Sequence, residues 1–458
     1  MIHKIKQPVA LISILLFTFL IQISLARLLA THYLPTQGNQ SDNKIFIALI
    51  LHGQNTGSHP APDPVPNPAP DPDIDPDPDS DYAADPDGMT PSFLETFDGN
   101  PSQPQPWRPD NWDITIHSRD GDTWKTLEPM QAAHGSDCTP PPARHQISAY
   151  EDAVFICRNH MMTAINATGY GVIYLTPNHM VDFSEGEAVI RFDLSTERTS
   201  GRDWVSFWIT PYQDHLQLPL QLWMPDLSGE PRHAIHIVMG HHNNGTVFRG
   251  SLVRDFNVTG IDGANWWRGY QDFLTPSAQR RDTFELRISR THLKFGMPDY
   301  NFWWIDNTIP ELDWSQGIVQ FGHHSYTPRK ECPFDECHPN TWHWDNISIH
   351  PSRPFTMLHA DKRFVDATTS PDVHFPAPAP ANAHLRFAAA ATNLQVSFDG
   401  GNTWQPAQLQ VQQRTEGYHF KSYWTPVPAG ITSVQIRGEN LGHSWHVRDI
   451  AIWSLSTE

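Results

Sequence analysis

Phe93–Gly99 reads FLETFDG, and near the other end of the same region Thr341–Ile349 reads TWHWDNISI. Each reads as a strand. In the closing run, Trp342, Trp344 and Asn346 fall on one parity, opposite Asp345, Ile347 and Ile349. Further strand candidates lie between: Ala188–Leu194, Trp204–Ile209, Gln217–Met224, Ala234–Met239, Phe284–Arg290, Phe302–Ile305 and Ile318–Gly322. Turn clusters such as SGEP, NNGT and GIDGAN punctuate them, and helical heptads are absent. The expectation is an all-β chain whose residues 90–354 form one large sandwich.

The two runs resemble the first and last strands of the concanavalin A-like lectin/glucanase superfamily, where F-x-x-x-F-D-G opens the sandwich and W-D-N-I-x-I closes it. The resemblance implies a concanavalin A-like jelly-roll sandwich that handles carbohydrate. Many glycoside hydrolases of that superfamily carry Glu-x-Asp-x-Glu between the bookends, and this chain has no such run. Alginate lyases of similar fold carry R-x-E-L-R, then Q-I-H, then Y-F-K-A-G. Here FELR (Phe284–Arg287) follows AIH (Ala234–His236), Ala234 stands for the Gln, and the third motif is missing.

Strand parity nominates a binding face. Trp204, Ser206 and Trp208 oppose Val205, Phe207 and Ile209, while Gln217, Gln221 and Trp223 oppose Leu218, Leu220, Leu222 and Met224. His236 opposes Ile235 and Ile237. Indoles can stack on sugar rings, while amides and imidazoles bond hydroxyls. The ligand-binding candidates are therefore Trp204, Trp208, Gln221, Trp223, His236, His324, Trp342 and Trp344. The bland alternative is that these Trp residues fill a core and the histidines line turns. Were the chain an enzyme, His236, His324 and Tyr326 would carry it, as a lyase removing a proton. His233, His241, His242 and His343 belong to the same histidine-rich neighbourhood. A retaining or inverting hydrolase needs two facing carboxylates about 5–10 Å apart. The close pair Glu185 and Glu187 sits in a turn, FSEGE.

The formal charge is −19, which argues against nucleic acid. Nine of those negative charges come from Asp residues between His59 and Gly88, in a Pro/Asp run that favours an extended spacer. Its alternating Asp lacks the Gly and Glu of an EF-hand, so a structural calcium is assignable to no residues and no cofactor is implied. Lys4 and Lys6 precede an apolar run ending near Ser24-Leu25-Ala26, which reads as a signal peptide or a membrane anchor. Either places the remainder outside the cytoplasm, secreted or at the cell surface, with membrane contact only through the N-terminus. Four cysteines suit that compartment as disulfides Cys138–Cys157 and Cys332–Cys337; the rival is a zinc site using Cys332, Cys337, His338 and either His323 or His324. Sequons stand at Asn166, Asn244, Asn257 and Asn346.

The organisation expected is thus a signal or anchor over 1–30, a disordered linker over 31–89, the sandwich over 90–354, a linker over 355–383 and a β-module over 384–458. That module holds SFDGGNTW and W-x-P-x-P-x-G and looks like a small immunoglobulin-like sandwich. SFDGGNTW also matches the Asp-box of sialidases; two unequal copies, with SRDGDTW at Ser118–Trp124, do not make a propeller, and a tight structural hairpin is expected. The functional expectation is binding of an extracellular or cell-wall polysaccharide. The alternatives are a lyase or hydrolase of the same fold, and an adhesion or scaffold protein.

Overall fold

The structure is a computed structural model. It describes residues 90–97, 105–107, 109–120, 123–126, 153–156, 160–165, 170–198, 202–216, 231–242, 245–261, 268–270, 282–326, 340–365, 369–410, 421–439 and 446–455. The N-terminal segment, the Pro/Asp run and all four cysteines lie outside these residues, as do Gln221, Trp223 and the side chain of Tyr326. Helical structure among the described residues is one short turn, Pro298–Tyr300, and none of it is long and apolar enough to cross a membrane.

The strands that position the candidate site are β1 (Phe93–Glu95), β2 (Trp112–Asp120), β3 (Met161–Ile165), β4 (Tyr170–Pro177), β5 (His179–Asp182) and β6 (Ala188–Arg198). They continue with β7 (Arg202–Thr210), β8 (Ala234–His242), β9 (Gly245–Arg254), β10 (Asp282–Ile288), β11 (Gln316–Tyr326) and β12 (Asn340–His350). The last four are β13 (Ser352–His359), β14 (His384–Ala390), β15 (Lys421–Pro426) and β16 (His446–Leu455).

Two antiparallel sheets face each other. One has β10, β6, β12 and β3 at its centre; the other runs β9-β8-β7-β11-β5, with β4 also on β11 and β2 on β4. Order in space departs from order in sequence, as in a jelly roll. The chain therefore folds as the all-β jelly-roll sandwich its bookends indicate. Those bookends pair directly, with Phe93 opposite Ile349 and Glu95 opposite Ile347.

One continuous core fills the space between the sheets. Phe192 of β6 stacks on Phe207 of β7 at 4.5 Å, and Trp344, Phe321 and Phe284 surround the pair. These aromatic contacts add roughly 0.5–1.5 kcal/mol each to the gain from area burial.

The closing strand departs from simple alternation. Trp342, Trp344, Ile347 and Ile349 all enter this core, although parity places the tryptophans opposite the isoleucines. The cause is a bulge between Asp345 and Ser348, where Asn346 adopts φ 47°. One extra residue switches the side on which the following residues emerge. Asn346 suits it, since Asn tolerates the left-handed region. Its Nδ2 donates to Asp193 Oδ2 at 2.7 Å, and its backbone N–H donates to Asp345 Oδ1 at 2.9 Å.

The second, smaller sandwich contains β14, β15 and β16 on one side and a four-stranded sheet including Thr392–Ser397 and Ser433–Glu439 on the other. A separate apolar core lies between them. It is not joined by a free linker. β13 pairs through Ser352–Pro354 with β5 and through Phe355–His359 with β16, so one strand belongs to both sandwiches. Residues 355–359, expected within a linker, are thus the second half of that strand, and Val373–His374 form another short one. The hydrogen-bonding demand of two open sheet edges is met by one strand.

SFDGGNTW forms the expected hairpin. Asp399 accepts from the Ser397 hydroxyl at 2.8 Å, the Thr403 N–H at 2.8 Å and the Thr403 hydroxyl at 2.7 Å. Gly400 and Gly401 take φ 70° and 84° at the turn. Trp404 donates to the Gly401 carbonyl at 3.0 Å and lies under Arg437.

Two outcomes are expected. A β-branched residue at the left-handed bulge, Asn346→Val, should cost about 1–3 kcal/mol in urea unfolding. Asn346→Gly should cost less, and equal losses would remove the bulge as the cause. Asp399 is held near 2, below the usual 3.8, chiefly by the Thr403 hydrogen bonds. Its folded value is depressed, so its stabilisation is full above about pH 4 and fades as pH falls toward 2. Carboxyl NMR titration checks this; a midpoint near 3.8 would contradict it.

Candidate functional site

Alternation along β7 divides the molecule. Asp203, Val205, Phe207 and Ile209 face inward, while Trp204, Ser206, Trp208 and Thr210 face the outer side of the sheet. β8 and β11 follow suit, with His236 and with Gln320, Gly322 and His324 outward. Four of the expected binding residues, Trp204, Trp208, His236 and His324, therefore share one face.

These four are paired ring on ring. Trp208 stacks on His236 at 3.7 Å and 10°, and Trp204 lies parallel to His324 at 5.4 Å and 5°. Each indole thus has one face taken by an imidazole. They are also buried: Trp204 retains 9% of its surface, Trp208 and His236 2% each, and His324 none. The expected open indole faces for sugar stacking are therefore covered in this fold.

The His324 ring is fixed from three sides. Its Nε2 shares a hydrogen bond of 2.8 Å with Ser206 Oγ, Tyr174 meets it edge-on at 5.3 Å, and Trp204 covers it. Gly322 makes room for this, because a Cβ there would come within 2.6 Å of Ser206 Oγ and 2.8 Å of His324 Nε2. Burial, and secondly the neighbouring His323, push the His324 pKa well below 6.5.

A transverse row crosses the face one step along. Ser251 of β9 stands opposite His236, His236 opposite Trp208, and Trp208 opposite Gln320. Gln320 donates to Thr176 Oγ1 at 3.3 Å, and Thr176 pairs with Asp113 of β2. Among the described residues, Trp208 Nε1, Ser251 Oγ and Gln320 Oε1 are buried without a hydrogen-bond partner. Leaving such groups unpaired costs about 1–3 kcal/mol each, which makes the row a polar exception on a buried face.

The inner layer holds what the expected site lost. Trp342 donates to Asp203 Oδ2 at 2.6 Å, and Trp344 donates to Thr163 Oγ1 at 3.0 Å. His323 joins them, with Nδ1 at 3.0 Å from Thr163 Oγ1 and Nε2 at 3.0 Å from Asp203 Oδ1. The sequence forms a directed chain if the Thr163 hydroxyl donates to Nδ1 and Nε2–H donates to Asp203. Trp342 and Trp344 thus tie the two sheets together between them and do not line the outer face. Asp203 escaped the sequence reading; its shared parity with Val205, Phe207 and Ile209 is the signal that could have found this buried, partnered carboxylate.

Other expected participants sit elsewhere. His343 turns to the far side of its sheet and meets His160 at 3.0 Å. Glu285 and Arg287 of FELR lie on that other sheet, where Glu285 is buried in ion pairs with Arg191 and Arg287. The motif residues of the lyase reading therefore occupy different sheets. His233 pairs with Asp214 at 2.7 Å. No group of three His, Cys, Asp or Glu able to hold a metal occurs among the described residues.

No family model matches this chain, and no curated protein matches it. Solved structures do resemble it. A β-1,3-glucanase from Mycobacterium marinum is 10% identical over 57% of this chain and 99% of its own, with a TM-score of 0.35. A Bacillus subtilis protein of unknown function with a galectin-like fold is 8% identical over 57% and 99%, with a TM-score of 0.32. A carbohydrate binding module from Bacillus subtilis is 9% identical over 41% and 85%, with a TM-score of 0.25. At about one identical residue in ten, what those proteins bind or cleave stays with them.

The buried imidazoles set an acid limit on stability. His324 and His215 have folded pKa values well below 6.5, so the unfolded chain binds their protons first as pH falls. Stability should be full above about pH 6.5 and drop below it, by at most about 1.4 kcal/mol per pH unit for each histidine. Urea unfolding between pH 7.5 and 5 measures it. His324→Gln should flatten the slope, and an unchanged slope would acquit His324.

Proposed function

We propose that this chain binds an extracellular polysaccharide through the outer face of β7, β8, β9 and β11, without cleaving it. The observation that carries the proposal is the row Ser251–His236–Trp208–Gln320. It offers a buried indole N–H, a hydroxyl and an amide oxygen, all without protein partners among the described residues. Sugar hydroxyls both donate and accept, so they match all three groups, and because these atoms are buried a sugar must displace what covers them to reach them. With one side of each indole held by an imidazole, recognition would come from hydrogen bonds to edge atoms more than from ring stacking. Binding without cleavage is supported by the separation of the lyase-like residues onto two sheets and by the commitment of Glu285 to two arginines. An N-terminal signal or anchor and the Pro/Asp spacer would present this face outside the cell.

A glycan array probed with the full chain, followed by calorimetry, tests the proposal. Trp208→Phe and Ser251→Ala should each weaken binding about 2- to 10-fold, the worth of one hydrogen bond, while thermal midpoints report folding. Absence of any glycan ligand, or unchanged affinity in both variants, would sink this face as the site. Time-dependent release of oligosaccharides or of unsaturated product absorbing in the ultraviolet would convert the protein to an enzyme.

A further inference from the structure

At the junction of the two sandwiches lies an arginine that no carboxylate of the described residues contacts. Leu385 and Phe387 of β14 point into the small core, so Arg386 points the other way, toward the larger sandwich. It is fully buried. Its guanidinium carbon stands 3.7 Å from the Trp453 ring centre and 5.2 Å from that of Trp424. Nη2 donates to the His215 carbonyl at 3.3 Å, whereas Nε and Nη1 have no hydrogen-bond partner among the described residues. The neighbouring Arg448 differs, having Asp449 Oδ2 at 3.8 Å from its Nε.

The surroundings supply donors. The Tyr212 hydroxyl and Trp453 Nε1 are buried and unpartnered, and Tyr212 packs edge-on against Trp424 at 5.1 Å and lies 6.4 Å from Trp453. His215 stacks on Trp453 at 5.7 Å. Burial, then the charge of Arg386, hold its pKa well below 6.5. Asp113 and Asp449 act on Arg386 through space, while Asp113 lies 3.7 Å from His359 Nδ1 and Asp449 lies 3.8 Å from Arg448 Nε. Burial lowers the Arg386 pKa only to about 10, so it is charged at neutral pH. A buried cation without a contacting counter-charge is among the costlier arrangements a fold can hold. Water could accept the idle hydrogens but would not supply the charge.

We propose that this junction holds one small monovalent anion, of halide or formate size, against Arg386, with Tyr212 and Trp453 as neutral donors. The anion would clamp the second sandwich onto the segment after β7. There Gln410 also donates to the Gln213 carbonyl at 2.9 Å and to the His215 carbonyl. The site is separate from the outer-face row and stands whether or not that row binds glycan.

Thermal unfolding of the full chain in sodium chloride, formate or gluconate at equal ionic strength is the test, since gluconate is too bulky for a closed site. Chloride and formate should raise the midpoint relative to gluconate, by about 2 °C for each tenfold increase above the dissociation constant. Whichever of the two acts at lower concentration is the preferred occupant. Arg386→Met, which keeps bulk without charge, should abolish the difference between salts. Should that variant not fold, chloride NMR on the unaltered protein serves: bound chloride broadens the resonance, and formate should sharpen it again. Equal midpoints in all three salts, a salt difference that survives Arg386→Met, or no formate-reversible broadening would overturn the proposal.

Discussion

β7 is buried on both faces, and the rest of the larger sandwich is arranged around that fact. Phe207 meets Phe192 on the inner side while Trp208 meets His236 on the outer side. A shift of one residue in its pairing would send Trp204, Ser206 and Trp208 into an apolar core and expel Val205, Phe207 and Ile209. The inward Asp203 makes the penalty steeper, because the hydrogen bonds it accepts from Trp342 and His323 belong to this register. Register here is set by chemistry on two sides, which also fixes β8 and β11 beside it.

The polar chain through Thr163, His323, Asp203 and Trp342 links strands from both sheets. Apolar packing alone permits small slides of one sheet over the other. Directed hydrogen bonds in a low-dielectric interior do not, since each group left unpaired costs its full desolvation. The outer row thus rests on a sheet whose position over its partner is specified. At the other end, Arg386 and Gln410 of the second sandwich grip the backbone carbonyl of His215, whose ring reaches Thr210 at the end of β7.

Much of the architecture was legible in the sequence. FLETFDG and TWHWDNISI paired as their likeness to opening and closing strands implied, and the alternation of Trp204 to Ile209 gave the two faces correctly. The closing strand misled because a period-two reading presumes no insertion, and the bulge at Asn346 carries no mark beyond a residue type that tolerates positive φ. Ring-on-ring pairing of Trp208 with His236 depends on cross-strand register, which lies in long-range pairing. Arg386 gave no local signal at all: its meaning comes from Tyr212 and His215, far away in the chain.

The shared strand β13 has a bearing on how this protein could arise or be divided. A cut before β13 would leave β5 without the pairing that Ser352–Pro354 provides, and a cut after it would leave β16 without that of Phe355–His359. Exposed edges recruit other chains, so whichever half loses β13 would be prone to associate with copies of itself. The two sandwiches are therefore poor candidates for independent shuffling between genes. They would be inherited, gained or lost together.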